Sequence, residues 1–289
     1  MILVADSGST KTDWALQSVS GSLVYYHTQG INPFHQDRAV IAEILRRELL
    51  PQLSPDAVTC VCFYGSGVRP ELEPVVISLL QEAFPCAKHV EAHSDLLGAA
   101  RSLCGHNYGI ASILGTGANS CLYDGECIVQ NTPALGYILG DEGSGAVLGR
   151  RFLNALYKGV LSENIKTEFE AENGLTMADI IDRVYRQPLA NRFLASLSEF
   201  IHSHLDDEAV RQIVISNFDD FFLRNILPYD RRDLPVSFVG SIAWHYQSEL
   251  QESASRQGFT LGTILQSPLA GLLRFHRLPE IPISRVASG

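Results

Sequence analysis

The sequence has little positive charge, no long hydrophobic run and no cysteine spacing typical of a zinc site. Its 22 lysines and arginines are outnumbered by 32 aspartates and glutamates, and the net charge of −10 argues against a nucleic-acid-binding surface or a patch for anionic membranes. No stretch approaches the roughly 18 apolar residues of a membrane-spanning helix. No basic segment precedes the first apolar run, so we expect no signal peptide and a cytoplasmic location.

The six cysteines form no C-x₂-C pair and no histidine-bearing zinc motif. Cys60 and Cys62 are a C-x-C pair inside an apolar run, and we interpret all the cysteines as reduced, buried thiols of a cytosolic protein. His89 and His93 are four residues apart, but they lie over a predicted strand. That spacing separates residues on a strand by about 13 Å, so we predict no metal site at these histidines.

The sequence does have the composition of a globular protein, with 46% hydrophobic residues in a chain of 289. This length favours two domains over one. Strand-like and helix-like runs alternate along the first part of the chain, which indicates α/β layers. The strand-like runs cover residues 1–6, 13–18, 22–29, 58–64 and 87–92, and the helix-like runs cover 36–50, 70–83 and a segment that begins at Ser94.

The second half of the chain repeats the first. Residues 236–241 echo residues 61–66, and residues 267–274 echo residues 94–101 at a closely similar spacing. Two echoes in register are difficult to attribute to chance. We therefore predict an α/β fold of two duplicated domains with a cleft between them.

The two halves are unequal in length, and we place the domains at residues 1–106 and 107–266. The extra residues of the second half, about 142–227, carry helical patterns and predict a helical insert whose clearer helices cover 180–185 and 193–204. The end of the chain, about 267–289, is expected to contain a helix that packs back on the first domain.

Two turns of small residues lie at equivalent positions of the repeat, at residues 6–12 and 115–120. Small residues let a ligand approach the backbone closely, and several N–H groups and hydroxyls then face one anion. Neither turn has the spacing of a P-loop or of a dinucleotide-binding motif. Facing each other across a cleft, they would grip the phosphate tail of a nucleotide from both sides.

Two carboxylates stand out next to these turns. In the repeat, Pro268 is the residue equivalent to Asp95, and each lies at the start of a predicted helix. Because proline is accepted at this position, the fold does not require a carboxylate there. Asp95 could accept a proton from a substrate hydroxyl, or it could simply be a favourable charge on the helix dipole. Asp141 lies in a glycine-rich segment, residues 140–145, and could cap a helix or lie where a ligand approaches closely.

Taken together, these segments resemble the BadF/BadG/BcrA/BcrD ATPase family, and within it the N-acetylglucosamine kinase-like branch. That family belongs to the actin/hexokinase/Hsp70 superfamily of duplicated ribonuclease-H-like domains. The resemblance covers essentially the whole chain and rests on residues 6–12, 114–120, 140–144 and 238–243. It implies ATP and Mg²⁺ as ligands and Asp95 as the catalytic base. It further implies Mg²⁺ at Asp6, phosphate binding by Gly8, Ser9, Thr10, Lys11, Thr12, Gly115, Thr116 and Gly117, adenosine binding by Gly240, Ser241 and Ala243, and sugar binding by Asn32, Asn119, Ser120, Gly136 and Asp141.

The resemblance thus implies an ATP-dependent kinase of an amino sugar such as N-acetylglucosamine, acting on its 6-hydroxyl, and a homodimer formed through the insert. One departure concerns the sugar. Mammalian-type members have a Gly-Gly-Trp-Gly run before the segment 140–144, whereas residues 133–136 here are Pro-Ala-Leu-Gly. Two glycines that would let the backbone approach the sugar are missing.

Two other functions remain open from the sequence. An ATPase that activates a radical dehydratase would hold an iron–sulfur cluster between subunits and would need an exposed cysteine pair. Cys121 and Cys127 flank a turn, but both fall in predicted strands. An actin-like or chaperone-like nucleotide switch needs no base in its cleft, so Asp95 argues against it.

Overall fold

The computed structural model describes residues 1–8 and 10–276, which form two five-stranded mixed sheets with helices around them. The sheet orders are β3-β2-β1-β4-β5 and β8-β7-β6-β9-β10, so the two sheets share one topology. In each, the first three strands pair antiparallel and the last two continue in parallel. The predicted duplication is confirmed. The strands are β1 (Ile2–Ser7), β2 (Lys11–Gln17), β3 (Leu23–Gln29), β4 (Cys60–Gly65), β5 (His89–Ser94), β6 (Gly109–Leu114), β7 (Ala118–Tyr123), β8 (Ile128–Thr132), β9 (Val236–Val239) and β10 (Leu261–Leu265).

Most of the helices lie between β8 and β9, which confirms the helical insert. The helices are α1 (Arg38–Ile44), α2 (Glu73–Ala83), α3 (Asp95–Cys104), α4 (Gly136–Leu139), α5 (Gly145–Tyr157), α6 (Glu163–Asn173), α7 (Met177–Tyr185), α8 (Ala190–Ser196), α9 (Ser198–Ser203), α10 (Glu208–Phe221), α11 (Ser241–His245), α12 (Gln247–Arg256) and α13 (Leu269–Phe275). No helix of the described residues is both long and apolar enough to cross a membrane.

The helix predicted over residues 193–204 is wrong as a single element, because a turn at Leu197 divides it into α8 and α9. Leu194 of α8 and Ile201 of α9 are both buried in the core that α5 also enters. Both short helices therefore contribute apolar side chains to that core.

The equivalent helices α3 and α13 lie between the sheets. Leu96 and Ala100 of α3 pack on Ala111 and Tyr123 of the second sheet. On the other side, α13 packs on the first sheet in a cluster that includes Val4, Cys62, Leu269 and Leu272. The helix α3 therefore packs on the second sheet and α13 on the first, so these two helices connect the sheets.

The prediction that all six cysteines are buried is wrong for four of them. All six are free thiols, and Cys62 and Cys121 are buried, but Cys60 and Cys104 are partly exposed and Cys86 and Cys127 are exposed. Cys86 lies in the turn between α2 and β5, and Cys127 lies in the turn between β7 and β8. Turns run over the surface of a protein, so their side chains are exposed whatever their polarity.

Candidate active site

A cavity of about 510 Å³ opens between the two sheets, within the usual size range of ligand pockets. Its walls are the turns after β1 and β6, the start of α3, the ends of β9 and β10, and the first turn of α8. The cavity therefore lies at the ends of equivalent strands in the two domains. Eleven predicted site residues line it: Asp6, Gly8, Thr10, Lys11, Asp95, Gly115, Thr116, Gly117, Asn119, Asp141 and Gly240.

The first turn joins β1 to β2 and is closed by a hydrogen bond from the Gly8 N–H to the Lys11 carbonyl, at 3.0 Å. Ser9 lies outside the described residues. Thr12, a predicted phosphate ligand, does not reach the cavity. Its hydroxyl is buried, lies 2.6 Å from the Ser7 hydroxyl and donates to the Gln29 carbonyl at 3.1 Å. Thr12 therefore stabilises the turn through hydrogen bonds on the side away from the cavity.

The second turn joins β6 to β7 and is held against the start of α5. The Gly145 N–H donates to the Gly115 carbonyl at 2.8 Å, and the Ala146 N–H donates to the Thr116 carbonyl at 3.1 Å. Gly115 also donates its N–H to the Gly117 carbonyl at 3.0 Å. These bonds place the second turn across the cavity from the first.

Asp6 is the penultimate residue of the strand β1 and lines the cavity. Burial raises the pKa of its carboxyl to about 7, and the neighbouring carboxylates of Asp95 and Asp13 raise it further in the same direction. Lys11 lowers it only in part. A carboxyl held at such a pKa readily exchanges its proton for a cation near neutral pH.

Asp95 is the first residue of α3, where the Ser94 hydroxyl caps the helix by accepting from the Leu97 N–H at 3.3 Å. The Asp95 carboxylate accepts from the Leu96 N–H at 2.8 Å and faces the cavity. Burial raises the pKa of Asp95 above its usual value, against the lowering effect of that N–H. Pro268, its counterpart in the repeat, lines the same cavity at the residue before α13 rather than inside the helix.

Asp13 is a cavity residue that the sequence reasoning missed. It lies on β2, two residues after Lys11, and its carboxylate is 2.8 Å from the Lys11 ammonium and 2.6 Å from His27 Nδ1. The spacing was a usable signal, because residues two apart on a strand point the same way.

The residues at this end of the cavity fit Mg²⁺. Asp6 and Asp13 are hard oxygen donors, the kind that Mg²⁺ prefers, and the first of them carries the raised pKa. Asp95 and Asp141 add further negative charge to the same cavity. An anionic phosphate would be repelled by such a set unless a cation came with it.

The segment 140–145 contradicts the interpretation of Asp141 as a helix cap. Ser144, not Asp141, caps α5 by accepting from the Val147 N–H. Packing within the protein requires glycine in this segment, because a Cβ on Gly140 would lie 2.1 Å from the Ala134 carbonyl oxygen. The glycines leave Asp141 with a φ of 52° and its carboxylate in the cavity.

Burial raises the pKa of Asp141 to about 6, and the backbone N–H groups of Ala118 and Gly136 offset part of that rise. Its carboxylate lies beside the second turn, 3.0 Å from where a Cβ on Gly117 would be. Asn119 is on the same wall, and its amide oxygen accepts from Asn131 and from the Ser120 N–H, each at 2.9 Å.

Three predicted sugar ligands do not line the cavity. The Ser120 hydroxyl is buried in the second domain, 2.7 Å from the Tyr229 hydroxyl. Asn32 donates to the hydroxyl of Ser66, which does line the cavity, at 3.3 Å. Gly136 starts α4 with a φ of 76°, outside the cavity wall.

Of the predicted adenosine residues, only Gly240 lines the cavity. Its φ is 122°, and a Cβ there would lie 2.3 Å from the Leu114 carbonyl oxygen, so the position requires glycine. Ala243 is fully buried, and Ser241 is exposed beyond the wall.

The helical insert supplies two further wall residues, Asn191 and Arg192 of α8, and the segment after β10 supplies Gln266. Nothing in the sequence pointed to Asn191 or Arg192, because their place depends on how α8 packs on α5.

No family model matches the chain, and no curated protein is significantly similar to it. Among solved structures, a proposed N-acetylglucosamine kinase from Porphyromonas gingivalis is 51% identical, with a TM-score of 0.93 over 96% of this chain and 98% of that one. This level of identity over the full length establishes common family membership.

Two more distant structures share the fold. A proposed N-acetylglucosamine kinase from Chromobacterium violaceum is 18% identical, with a TM-score of 0.73 over 95% of this chain and 98% of that one. A ROK-family glucokinase from Streptomyces griseus, solved with glucose and AMPPNP, is 12% identical, with a TM-score of 0.55 over 94% and 97%. The chain belongs to the N-acetylglucosamine kinase-like family of sugar kinases.

Proposed function

We propose that the chain transfers the γ-phosphate of ATP to the 6-hydroxyl of an amino sugar, N-acetylglucosamine or a close relative, with Asp95 as the general base. The observation that carries the proposal is the position of Asp95. Its carboxylate, with a raised pKa, faces the cavity that both small-residue turns also line.

The nucleotide would lie with its phosphates between the two turns and its adenosine toward Gly240 and α8. Gly8, Thr10 and Lys11 would contact the phosphates from the first domain, and Gly115, Thr116 and Gly117 from the second. Asp6 and Asp13 would hold Mg²⁺. When bound, the metal neutralises charge on the phosphates of the nucleotide.

Asp95 would accept the proton of the sugar hydroxyl as that oxygen approaches the γ-phosphorus. A raised pKa suits this role, because a general base works best when its pKa lies near the working pH. The rest of the catalysis is positioning, and closure of the domains would exclude water from the transferred group.

The sugar would contact Asn119 and Asp141 on the second-domain wall. Asn119 has its amide oxygen engaged by protein donors, so its NH₂ group would donate to the sugar. Asp141 would accept from sugar hydroxyls. Asn32 would act through Ser66, whose hydroxyl it contacts at 3.3 Å.

Several finer assignments are part of the proposal. We assign the family to the BadF/BadG/BcrA/BcrD group, place the domains at residues 1–106 and 107–266, and expect a cytoplasmic homodimer. Activation of a radical dehydratase is disfavoured, because Cys121 is buried while Cys127 is exposed, and they do not form a surface pair.

The test is ADP release measured with a panel of hexoses and N-acetylated amino sugars. We expect N-acetylated amino sugars to give the highest kcat/KM, and Asp95→Asn to lower kcat by about 10²–10⁴-fold with an unchanged KM for ATP. Asp207→Asn is the matched control. Asp207 caps α10 away from the cavity, so this variant also removes a negative charge from a helix start. An Asp95→Asn enzyme with the control's kcat contradicts the proposal.

A further inference from the structure

The face of the first sheet that α3 and α13 cover carries sulfur and nitrogen ligands at the opposite end of β4 from the cavity. Cys60 pairs in register with His89, and Cys62 pairs with Glu91, on the parallel strands β4 and β5. Paired residues, and residues two apart on a strand, point to the same face of a sheet. The fold therefore brings two thiols and an imidazole together, although their sequence spacing matches no zinc motif.

The distances among these groups match a metal site. The sulfur atoms of Cys60 and Cys62 are 3.6 Å apart. One ligand atom each from Cys60, Cys62 and His89 lies within 4.8 Å of the others. Tetrahedral zinc has Zn–S bonds of about 2.3 Å, which places two thiolate ligands about 3.8 Å apart. The two sulfurs thus already have the separation that zinc requires.

We propose that Cys60, Cys62 and His89 form a binding site for Zn²⁺, separate from the kinase cavity. The imidazole is exposed, Cys60 is partly exposed and Cys62 is buried, so the ion enters from the open edge of the sheet at β5. Three protein ligands would leave the fourth position, on that side, open to water. This site departs from the expectation that the C-x-C pair and His89 bind no metal.

The surroundings of the site support the assignment. A histidine that ligates zinc donates its other ring N–H to a carboxylate or carbonyl. Glu91 provides that carboxylate, with an oxygen 3.4 Å from His89 Nε2. Glu91 is itself fixed by Tyr64, which donates to it at 3.0 Å, and by Arg101 at 3.1 Å.

A thiol binds zinc only as the thiolate, so binding releases the protons of Cys60 and Cys62. Bound zinc would tie the edge strand β5 to β4.

The test is a Co²⁺ titration of the reduced, metal-free full-length protein, followed by displacement with Zn²⁺. We expect one Co²⁺ per chain with a thiolate-to-cobalt charge-transfer band that Zn²⁺ removes. Cys60→Ser and Cys62→Ser should abolish the band, and His89→Ala should weaken Co²⁺ binding at least about tenfold. Cys127→Ser, which changes an exposed cysteine elsewhere, should leave the band intact.

Two features keep the outcome decisive. No cysteine is among the described residues that line the kinase cavity, so Co²⁺ bound at its carboxylates gives no thiolate band. Thermal unfolding of each metal-free variant shows whether it folds, and Cys60, at the partly exposed start of its strand, tolerates serine better than Cys62. A wild-type protein without the band, or a folded Cys60→Ser protein with the wild-type band, overturns the proposal.

Discussion

Asp6 and Asp13 lie directly opposite each other on the antiparallel strands β1 and β2. Directly opposed like charges destabilise a pair of strands. Burial is the main cause of the raised pKa of Asp6, the carboxylates of Asp95 and Asp13 add to it, and Lys11, which contacts Asp13, offsets only part of it. Ionised Asp6 is therefore unfavourable in the metal-free cavity, and a divalent cation relieves that cost.

The first prediction concerns stability without metal. The pKa of Asp6 is 3.8 in the unfolded chain and about 7 in the fold. Below the lower value both states keep the proton. As the pH rises through this window, the unfolded state releases its proton first, so the folded state loses stability. Asp6→Asn cannot ionise and escapes this loss.

Thermal unfolding in chelator should therefore show Asp6→Asn several degrees more stable than wild type at pH about 8, with the difference vanishing near pH 4. Asp37→Asn, which changes an exposed cap of α1, should show no such trend. A wild-type protein at least as stable as Asp6→Asn at the higher pH would contradict the interpretation that ionised Asp6 destabilises the metal-free cavity.

Two glycines of the cavity wall should respond differently to alanine. No atom lies within 4 Å of a Cβ on Gly115, so Gly115→Ala should fold normally and raise the KM for ATP by about tenfold, because the methyl group meets the phosphates. Gly240 has a φ of 122° and no room beside the Leu114 carbonyl. Gly240→Ala should lower the free energy of unfolding by about 2–3 kcal/mol.

Denaturant unfolding and ATP kinetics on both variants check this contrast. If Gly115→Ala lost stability and kept its KM for ATP, the turn would have a structural role and would not contact the phosphates.

The alternation of side chains along strands accounts for the sequence predictions that failed at the turns. On β2, Lys11 and Asp13 face the cavity, so Thr12 between them must point to the other face. On β7, Asn119 faces the cavity and Ser120 points into the domain core. A motif treated as a run of equivalent residues does not separate the side chains that face the cavity from those that face the core. The alternation of side chains along a strand does separate them.

The turns themselves and the duplicated topology could be predicted, because each buried strand ends in small residues that leave a visible pattern. The contribution of Asn191 could not. It depends on the packing of α8 against α5, where a Cβ on Gly149 would lie 2.0 Å from the Leu194 carbonyl oxygen. Such tertiary contacts have no local signature in the sequence.

Asp141 should control the pH dependence of sugar capture. Its pKa in the fold is about 6, and the ionised carboxylate is a much stronger acceptor for sugar hydroxyls than the protonated carboxyl. We expect kcat/KM for the sugar to fall as the pH drops through about 6. Asp141→Asn should have a low kcat/KM without that fall.

Glu163→Gln is the control for this profile, because Glu163 begins α6, does not line the cavity and does not act on Asp141. If Asp141→Asn kept the wild-type pH dependence of kcat/KM for the sugar, a group other than Asp141 would be responsible for the fall near pH 6.

The central claim is that the sugar 6-hydroxyl attacks the γ-phosphate of ATP with Asp95 as its base. Phosphorus–proton correlation NMR of the product formed from N-acetylglucosamine and ATP tests it most directly, with Asp95→Asn run in parallel. The account predicts one sugar phosphate per ADP, with phosphorus coupled to both protons on carbon 6, and formation of that product by Asp95→Asn slowed by about 10²–10⁴-fold. Hydrolysis of ATP without a sugar phosphate, phosphorus at another position, or equal product from Asp95→Asn would contradict it.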